Sequence, residues 1–342
     1  MAFSDVHYRG KPLTVHKAVT APHFEQKTIL VTDTWDYVDL WLRRSGKKEA
    51  RFFWQQARSF YEATIELPKT AAPLTAYYCF LNAAKALLLS KCLTFSDQHG
   101  VSGFTLAGKS SLANEKIKFQ AGGILGSMCS HFGEAGQPDV VALGELLYNL
   151  PFIHRAYDLT YKSSVELFIP IVAPRIVRRN HEAWLVAELT GRYANQKTIA
   201  KLPSKFEQEL GGAAGFLVRR KKRFNWEPQN KAASIARYRT YHKDLRSHLF
   251  YICGPQRLWY LKRDGNIPSI VRRSTITMTF AAMHKLSELS RYTPDRLARH
   301  FEAQHNWLLA EFILSAPLQF IDEISSEMTG CEFMSPGRAS RK

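Results

Sequence analysis

Apolar and polar positions recur along this chain with two different periods, and the change of period divides it. From Lys48 to Leu67, the residues Phe53, Ala57, Phe60, Thr64 and Leu67 return at steps of four and three, one stripe of an amphipathic helix that Pro68 stops. Ahead of it, Asp33 can cap a shorter helix to about Arg44, with Trp35, Val38 and Leu42 on one face, and Ser45–Gly46 breaks it. The stretch PLTAYYCFLNAAKALLLSKC opens with Pro73 and is apolar on nearly every side. Its Ala and Leu are strong helix formers, so it predicts a central, buried helix. The short linker predicts that it packs antiparallel on the helix before it.

Residues 93–137 change character. Glycines punctuate short β-capable pieces, VSGFTLAG and EKIKFQAG, and the alternation in EKIKFQ predicts a hairpin. Helix returns over about 139–161, divided at Pro151. ELFIPIVAPRIVRR reads as extended, HEAWLVAELTGRY as a helix or mixed segment, and SIARYRTYHKD as a polar, tyrosine-bearing segment. HLFYICGPQRLWYLKRDG reads as two strands joined around Gly254–Pro255. Thr275 to Arg291 predicts a helix. Thr293–Pro294 starts a last long one, with Leu297, Phe301, Leu308 and Phe312 as its core stripe, ended by Pro317. A final short helix holds Phe320, Ile321 and Ile324.

These readings together predict a mainly α protein. Helices in 33–164 and 274–334 complete one core, with a glycine-rich insert at 93–137 and a small β-containing region at 165–273. Residues 1–32 read as irregular and 335–342 as a polar, frayed tail.

Composition adds little until charge is placed. The 342 residues are 45 % hydrophobic and 23 % charged, ordinary globular usage, which excludes a largely disordered chain or a small disulfide scaffold. The net charge of +17 is unusual. Residues 171–300 hold 26 Lys and Arg against 9 Asp and Glu, so the whole excess lies there. A basic region attracts polyanions. Five cysteines at wide spacings, with no paired C-x-x-C, give no zinc site, and no other metal or cofactor motif is expected. AGGILG lacks the Gly-Lys-Ser/Thr of a phosphate loop. No secretory leader and no run long enough to span a membrane is read, so a soluble, cytoplasmic protein is expected.

Three segments carry a family resemblance. They are FYEATIELPKTAAPLTAYYCFLNAAKALLLSKC, the HGVSG at His99–Gly103, and SELSRYTPDRL before a Trp-containing helix. In this order they resemble the YaaC-like family of bacterial proteins. The tyrosine-rich helix also resembles the broader HEPN class of helical domains, many of which are RNases or defence components using an Arg-x4–6-His pair. The resemblance implies a mainly α, HEPN-like helical bundle, a homodimer, and a protein of antiphage defence or stress response acting on RNA, as a metal-independent RNase in one version. The alternatives are a non-catalytic module that acts with a partner protein, or a nucleotide or second-messenger binder.

In such an RNase, arginine would hold phosphate and histidine would move protons. Four pairs have the spacing: Arg9–His16, Arg175–His181, Arg237–His242 and Arg299–His305. Twelve histidines in a chain this rich in arginine supply a comparable number by chance. Arg237 with His242, beside other basic residues, and Arg299 with His305, on a predicted helix, are the catalytic candidates. The candidate nucleic-acid surface is the unbroken run Arg219, Arg220, Lys221, Lys222 and Arg223, followed by Trp226. Arg175, Arg178, Arg179, Arg272 and Arg273 flank it. Cations interleaved with aromatic rings suit a single strand, because charges track phosphates while rings stack on bases.

Overall fold

The computed structural model describes residues 3–134, 140–210, 215–254 and 258–334. Pro255 and the tail 335–342 lie outside them, so the turn at Gly254–Pro255 is described only in part and the tail not at all.

Two helices open the helical layer. In α1 (Thr34–Arg44) the Asp33 side chain caps the helix by accepting from Trp35 N at 2.8 Å. In α2 (Lys48–Glu66) the buried stripe is Ala50, Trp54, Ala57 and Thr64; of the stripe read in the sequence it keeps Ala57 and Thr64, Phe53 and Phe60 are half-buried at its edge, and Leu67 is exposed. The apolar helix α3 (Ala72–Ser90) runs antiparallel to α2, since Thr64 meets Thr75 at 2.9 Å and Phe60 stacks on Tyr78. The glycine-rich stretch forms an antiparallel hairpin of Val101–Thr105 with Glu115–Phe119, joined by Val140–Ala142. It leads through α4 (Gly123–Phe132), α5 (Leu143–Tyr148), a 3-10 turn at Pro151–Ile153 and α6 (His154–Thr160).

The region expected to be a small β-containing insert is much more than that. Six strands make one antiparallel sheet in the order 206–208, 216–220, 182–189, 168–179, 258–262, 249–252, with Ser4–Asp5 and Phe224–Asn225 added at its sides. The residues are 47 % helical and 20 % strand, so the protein is a mixed α/β fold. The expectation of a mainly α, HEPN-like bundle, an all-α protein, is overturned. The physical reason lies in EAWLVAEL. Its Ala, Glu and Leu favour helix when isolated, yet Glu182–Leu189 is a central strand with Ala183 to Ala187 all buried. Burial on both faces removes the alternation that marks a strand.

Between those strands lie α7 (Gln196–Ile199) and α8 (Lys231–Arg246). Tyr238, Tyr241 and Leu245 of α8 are buried against the sheet, in a core of their own with Leu185, Val218 and Trp259. The chain then returns to the helical layer with α9 (Thr275–Tyr292), α10 (Pro294–Glu302) and α11 (Asn306–Thr329). The single long helix expected from Thr293 is thus two. Pro317 lies inside α11 and does not end it: Phe312 and Phe320 on either side are fully buried, and Phe320 stacks on Phe80 of α3 at 4.0 Å. That packing outweighs the roughly 3 kcal/mol that an interior proline costs a helix. The main core joins α1–α3 to α9 and α11. The N-terminal stretch wedges between the layers, with Lys17 Nζ on Asp322 of α11 at 2.9 Å and Tyr238 of α8 donating to Thr14 O at 2.8 Å.

Candidate functional site

The basic run at Arg219–Arg223 is mostly engaged within the sheet. Arg219 lies 2.6 Å from Glu207 and 3.6 Å from Glu209, its guanidinium over the Trp184 ring. Arg220 is only 2 % exposed and donates to Asp244 at 2.8 Å, over the Phe206 ring. Arg223 pairs with Glu182 and also faces Trp184. Lys222 reaches Asp244 at 3.5 Å, and Arg175 is held by Glu188 at 3.1 Å and Asp5 at 3.4 Å. Arg178 and Arg179 are half-buried on the same sheet. Trp226 is 3 % exposed, so its ring has no free face for a base. The interleaving of cations and rings seen in the sequence is realised as internal cation–π and ion-pair contacts. Among the described residues, Lys221 alone of the run is exposed without an ion pair.

The two catalytic candidates also part company. On α8, Arg237 pairs with Glu227 at 3.1 Å at the surface. His242 is fully buried, accepts from His16 N at 3.0 Å, and is pushed down to about 3 by burial and by Arg246. Five residues apart on a helix, the two point about 140° from each other. Arg299 turns outward to Asp295 at 2.8 Å. His305 turns inward, its Nε2 at 2.9 Å from His300 Nδ1, and burial and then His300 push it down to about 4.

His300 in turn meets Glu115 at 3.0 Å, a carboxylate that is 0 % exposed and that also holds Arg296 at 2.5 Å, Thr105 at 2.7 Å and Lys285 at 3.2 Å. Burial works to raise Glu115, but the bonds from His300, Arg296 and Thr105 and the Lys285 charge hold it down at about 2. This buried network ties the hairpin to α9 and α10. The arginine and histidine that do converge, Arg296 and His300, lie outside the spacing searched for in the sequence.

Charge without ion-pair partners among the described residues gathers elsewhere. A cleft of about 460 Å³ opens where the helical layer meets the sheet. Its floor comes from Phe250, Lys262 and Val271, and its rim from Lys205, Lys243 and Arg272. Arg246, His248, Arg263 and Arg273 complete the basic lining, against only two carboxylates, Glu134 and Asp264. Both acids are already occupied. Glu134 sits on the first turn of α9, taking Ser274 N at 2.8 Å and Thr277 Oγ1 at 2.9 Å, with Arg273 at 3.4 Å. Asp264 takes Ser204 N and Oγ, each at 2.9 Å. Among the described residues, Lys205, Lys243, Lys262, Arg263 and Arg272 make no ion pair.

Two cleft groups show what this surplus does. Lys262 Nζ donates to Val271 O at 2.7 Å, and burial together with Arg272 pushes it down to about 7. His248 is pushed to about 4, by burial first and then by Arg220 and Lys205. Both are the response of a cationic group to a positive, partly dry site. Of the residues singled out in the sequence, only Arg272 and Arg273 line the cleft. Lys205, Lys243, Arg246, His248, Lys262 and Arg263 come from three separate stretches and carry no local motif. A smaller cavity of about 320 Å³ under the N-terminal strands mixes Lys11, Lys27, His16 and Glu332 and has no such excess.

Fold and site together define a mixed α/β protein with a nucleotide-sized, positively charged cleft between its two layers. The family model described as YaaC-like Protein matches residues 15–328, and the chain belongs to that family. No curated protein and no solved structure matches it. No described helix is long and apolar enough to cross a membrane.

Proposed function

We propose that this protein binds a phosphate-bearing ligand of nucleotide size in the cleft between the sheet and the helical layer. The observation that carries the reading is the set of five cations without ion pairs around one cavity of about 460 Å³. That volume lies within the ordinary range for small-molecule sites. The partly apolar floor, Phe250, Val271 and Ile270, suits a base, and the lysine and arginine rim suits phosphates. This takes up the alternative expectation of a nucleotide or second-messenger binder in place of an RNA-directed protein of defence or stress response. The reading is one of binding, because Arg237, His242, Arg299 and His305 each have separate partners outside the cleft.

Calorimetric titration with a nucleoside triphosphate tests the reading at two ionic strengths. Saturable binding that weakens with added salt is expected, since exposed charges are screened over about 8–10 Å. Absence of binding at millimolar ligand would overturn it. A pH series gives a second expected result. The free protein holds Lys262 near 7, and a bound phosphate favours its charged form, so binding takes up a proton. Affinity should therefore fall as pH rises from about 7 to 9, where the phosphates are already ionised. A flat or rising profile would remove Lys262 from the site.

A further inference from the structure

The floor of the cleft is built on a segment with little backbone support. Arg263 N donates to Leu167 O at 2.9 Å, and α9 begins after Ser274. Between them, residues 264–272 make no backbone–backbone hydrogen bond among the described residues. Yet Ile270, Val271 and Arg272 line the cleft. Side chains hold them there. Asn149, the residue that closes α5, is 0 % exposed and is not itself in the lining. Its Oδ1 accepts from Val271 N at 2.9 Å, and its Nδ2 donates to Ser269 O at 2.7 Å and to Glu145 O at 2.8 Å. One N–H and two carbonyls are a partner set that suits a carboxamide and not a carboxylate. Ser269 stands at φ +64°, the left-handed region that L side chains rarely adopt. Its side chain is exposed, so the turn is fixed through its carbonyl rather than by side-chain packing.

The clamp reaches Lys262 in one step. Val271 gives its N–H to Asn149 and its carbonyl to Lys262 Nζ, at 2.7 Å. Lys262 is 6 % exposed, with its Nζ 5.3 Å from the centre of the Phe250 ring. The other buried lysines each meet a carboxylate, Lys17 at Asp322 (2.9 Å) and Lys285 at Glu115 (3.2 Å). Lys262 makes no ion pair among the described residues, which leaves Val271 O as the polar group that places it. The charged side chains that share this part of the cleft are Arg246, His248, Arg263, Arg272, Arg273 and Glu134. Glu134, the acid among them, is taken up by Arg273 and Ser274 N.

We propose that Asn149 is the positioning residue of the cleft: through Val271 it sets both the apolar floor and the place of the Lys262 ammonium, without touching the ligand. The proposal rests on the cleft reading for its ligand, while the clamp itself can be read in the free protein.

The test follows the Lys262 ammonium by NMR in the full chain with isotope-labelled lysine, assigned by the K262R difference. In the ligand-free wild type it should titrate at about 7, where burial and Arg272 push it. Asn149→Ala releases Val271, admits water and should move that titration to about 9 or above, toward the ordinary lysine value. Ser269→Pro reaches the clamp from the surface, since proline cannot adopt φ +64°, and should do the same with the core side chains unchanged. Ser269→Gly, which takes the left-handed turn freely, should leave the titration as in the wild type. Nucleoside triphosphate affinity at about pH 7 should fall about tenfold in N149A and S269P but not in S269G, and its decline between about pH 7 and 9 should flatten. A Lys262 titration that stays at about 7 in folded N149A, or in S269P, would overturn the clamp, whatever the change in thermal stability. Failure of the wild type to bind the nucleotide would overturn the cleft reading instead, because the ligand-free titration decides the clamp by itself.

Discussion

Exchanging both Lys243 and Arg272 for glutamate should weaken nucleoside triphosphate binding by about 100-fold, or roughly 2.7 kcal/mol. Both side chains are exposed on the rim of the cleft, and neither makes an ion pair among the described residues. Each reversal replaces an attraction of about 1 kcal/mol at contact distance in water by a repulsion of similar size. Screening and ligand adjustment remove part of that, which leaves about a factor of ten per residue. Stability should move by no more than about 0.5 kcal/mol, as for other surface substitutions. The informative control is Lys221→Glu, which reverses the one exposed, unpaired charge of the Arg219–Arg223 run. If that change costs as much affinity as the double exchange, the ligand lies along the sheet and not in the cleft.

Replacing Glu115 by alanine should destabilise the fold by about 3–5 kcal/mol, the usual cost of removing one partner from a buried ion pair. The carboxylate is fully buried and compensates Lys285, Arg296 and His300 together. Without it, the buried Lys285 keeps Phe104 O and Thr105 Oγ1 but, among the described residues, only Glu288 at 3.9 Å as an acid partner. The same contacts set a pH dependence. Glu115 titrates at about 2 when folded, below its ordinary 4.5. Its contribution of about 3 kcal/mol is therefore complete above pH ~4.5 and is lost as pH falls toward 2. Urea denaturation of the wild type and of E115A at neutral pH and at about pH 3 measures both effects. The gap between the two proteins should shrink in acid. A loss under 1 kcal/mol at neutral pH would show that the network contributes little to stability.

Much of the helical layer was legible because its signals are local. Asp33 caps α1 as its position suggests, and the bounds read for α2 and α9 fall within a residue of those observed. The hairpins at 101–119 and 249–262 showed through alternation and turn residues. What failed was set by tertiary surroundings. Glu182–Leu189 is a strand because both its faces are covered, and α8 is a helix because Tyr238, Tyr241 and Leu245 cover the sheet, though its polar positions dilute the stripe. Pro317 is tolerated because Phe312 and Phe320 are buried around it. The site was hardly legible at all. A run of five basic residues drew attention to charges that Glu207, Asp244 and Glu182 engage from neighbouring elements, contacts no spacing rule reveals. The cleft cations are scattered from Lys205 to Arg273, and only the meeting of the sheet with α8 and α9 brings them together.

Lysine acetylation of the intact protein, with and without a nucleoside triphosphate, tests the central claim most directly. Ligand in the cleft should slow modification of Lys205 and Lys243 severalfold and leave Lys197, Lys221 and Lys222 at their free rates. Protection confined to Lys221 and Lys222, or rates that the nucleotide leaves unchanged at Lys205 and Lys243, would contradict it.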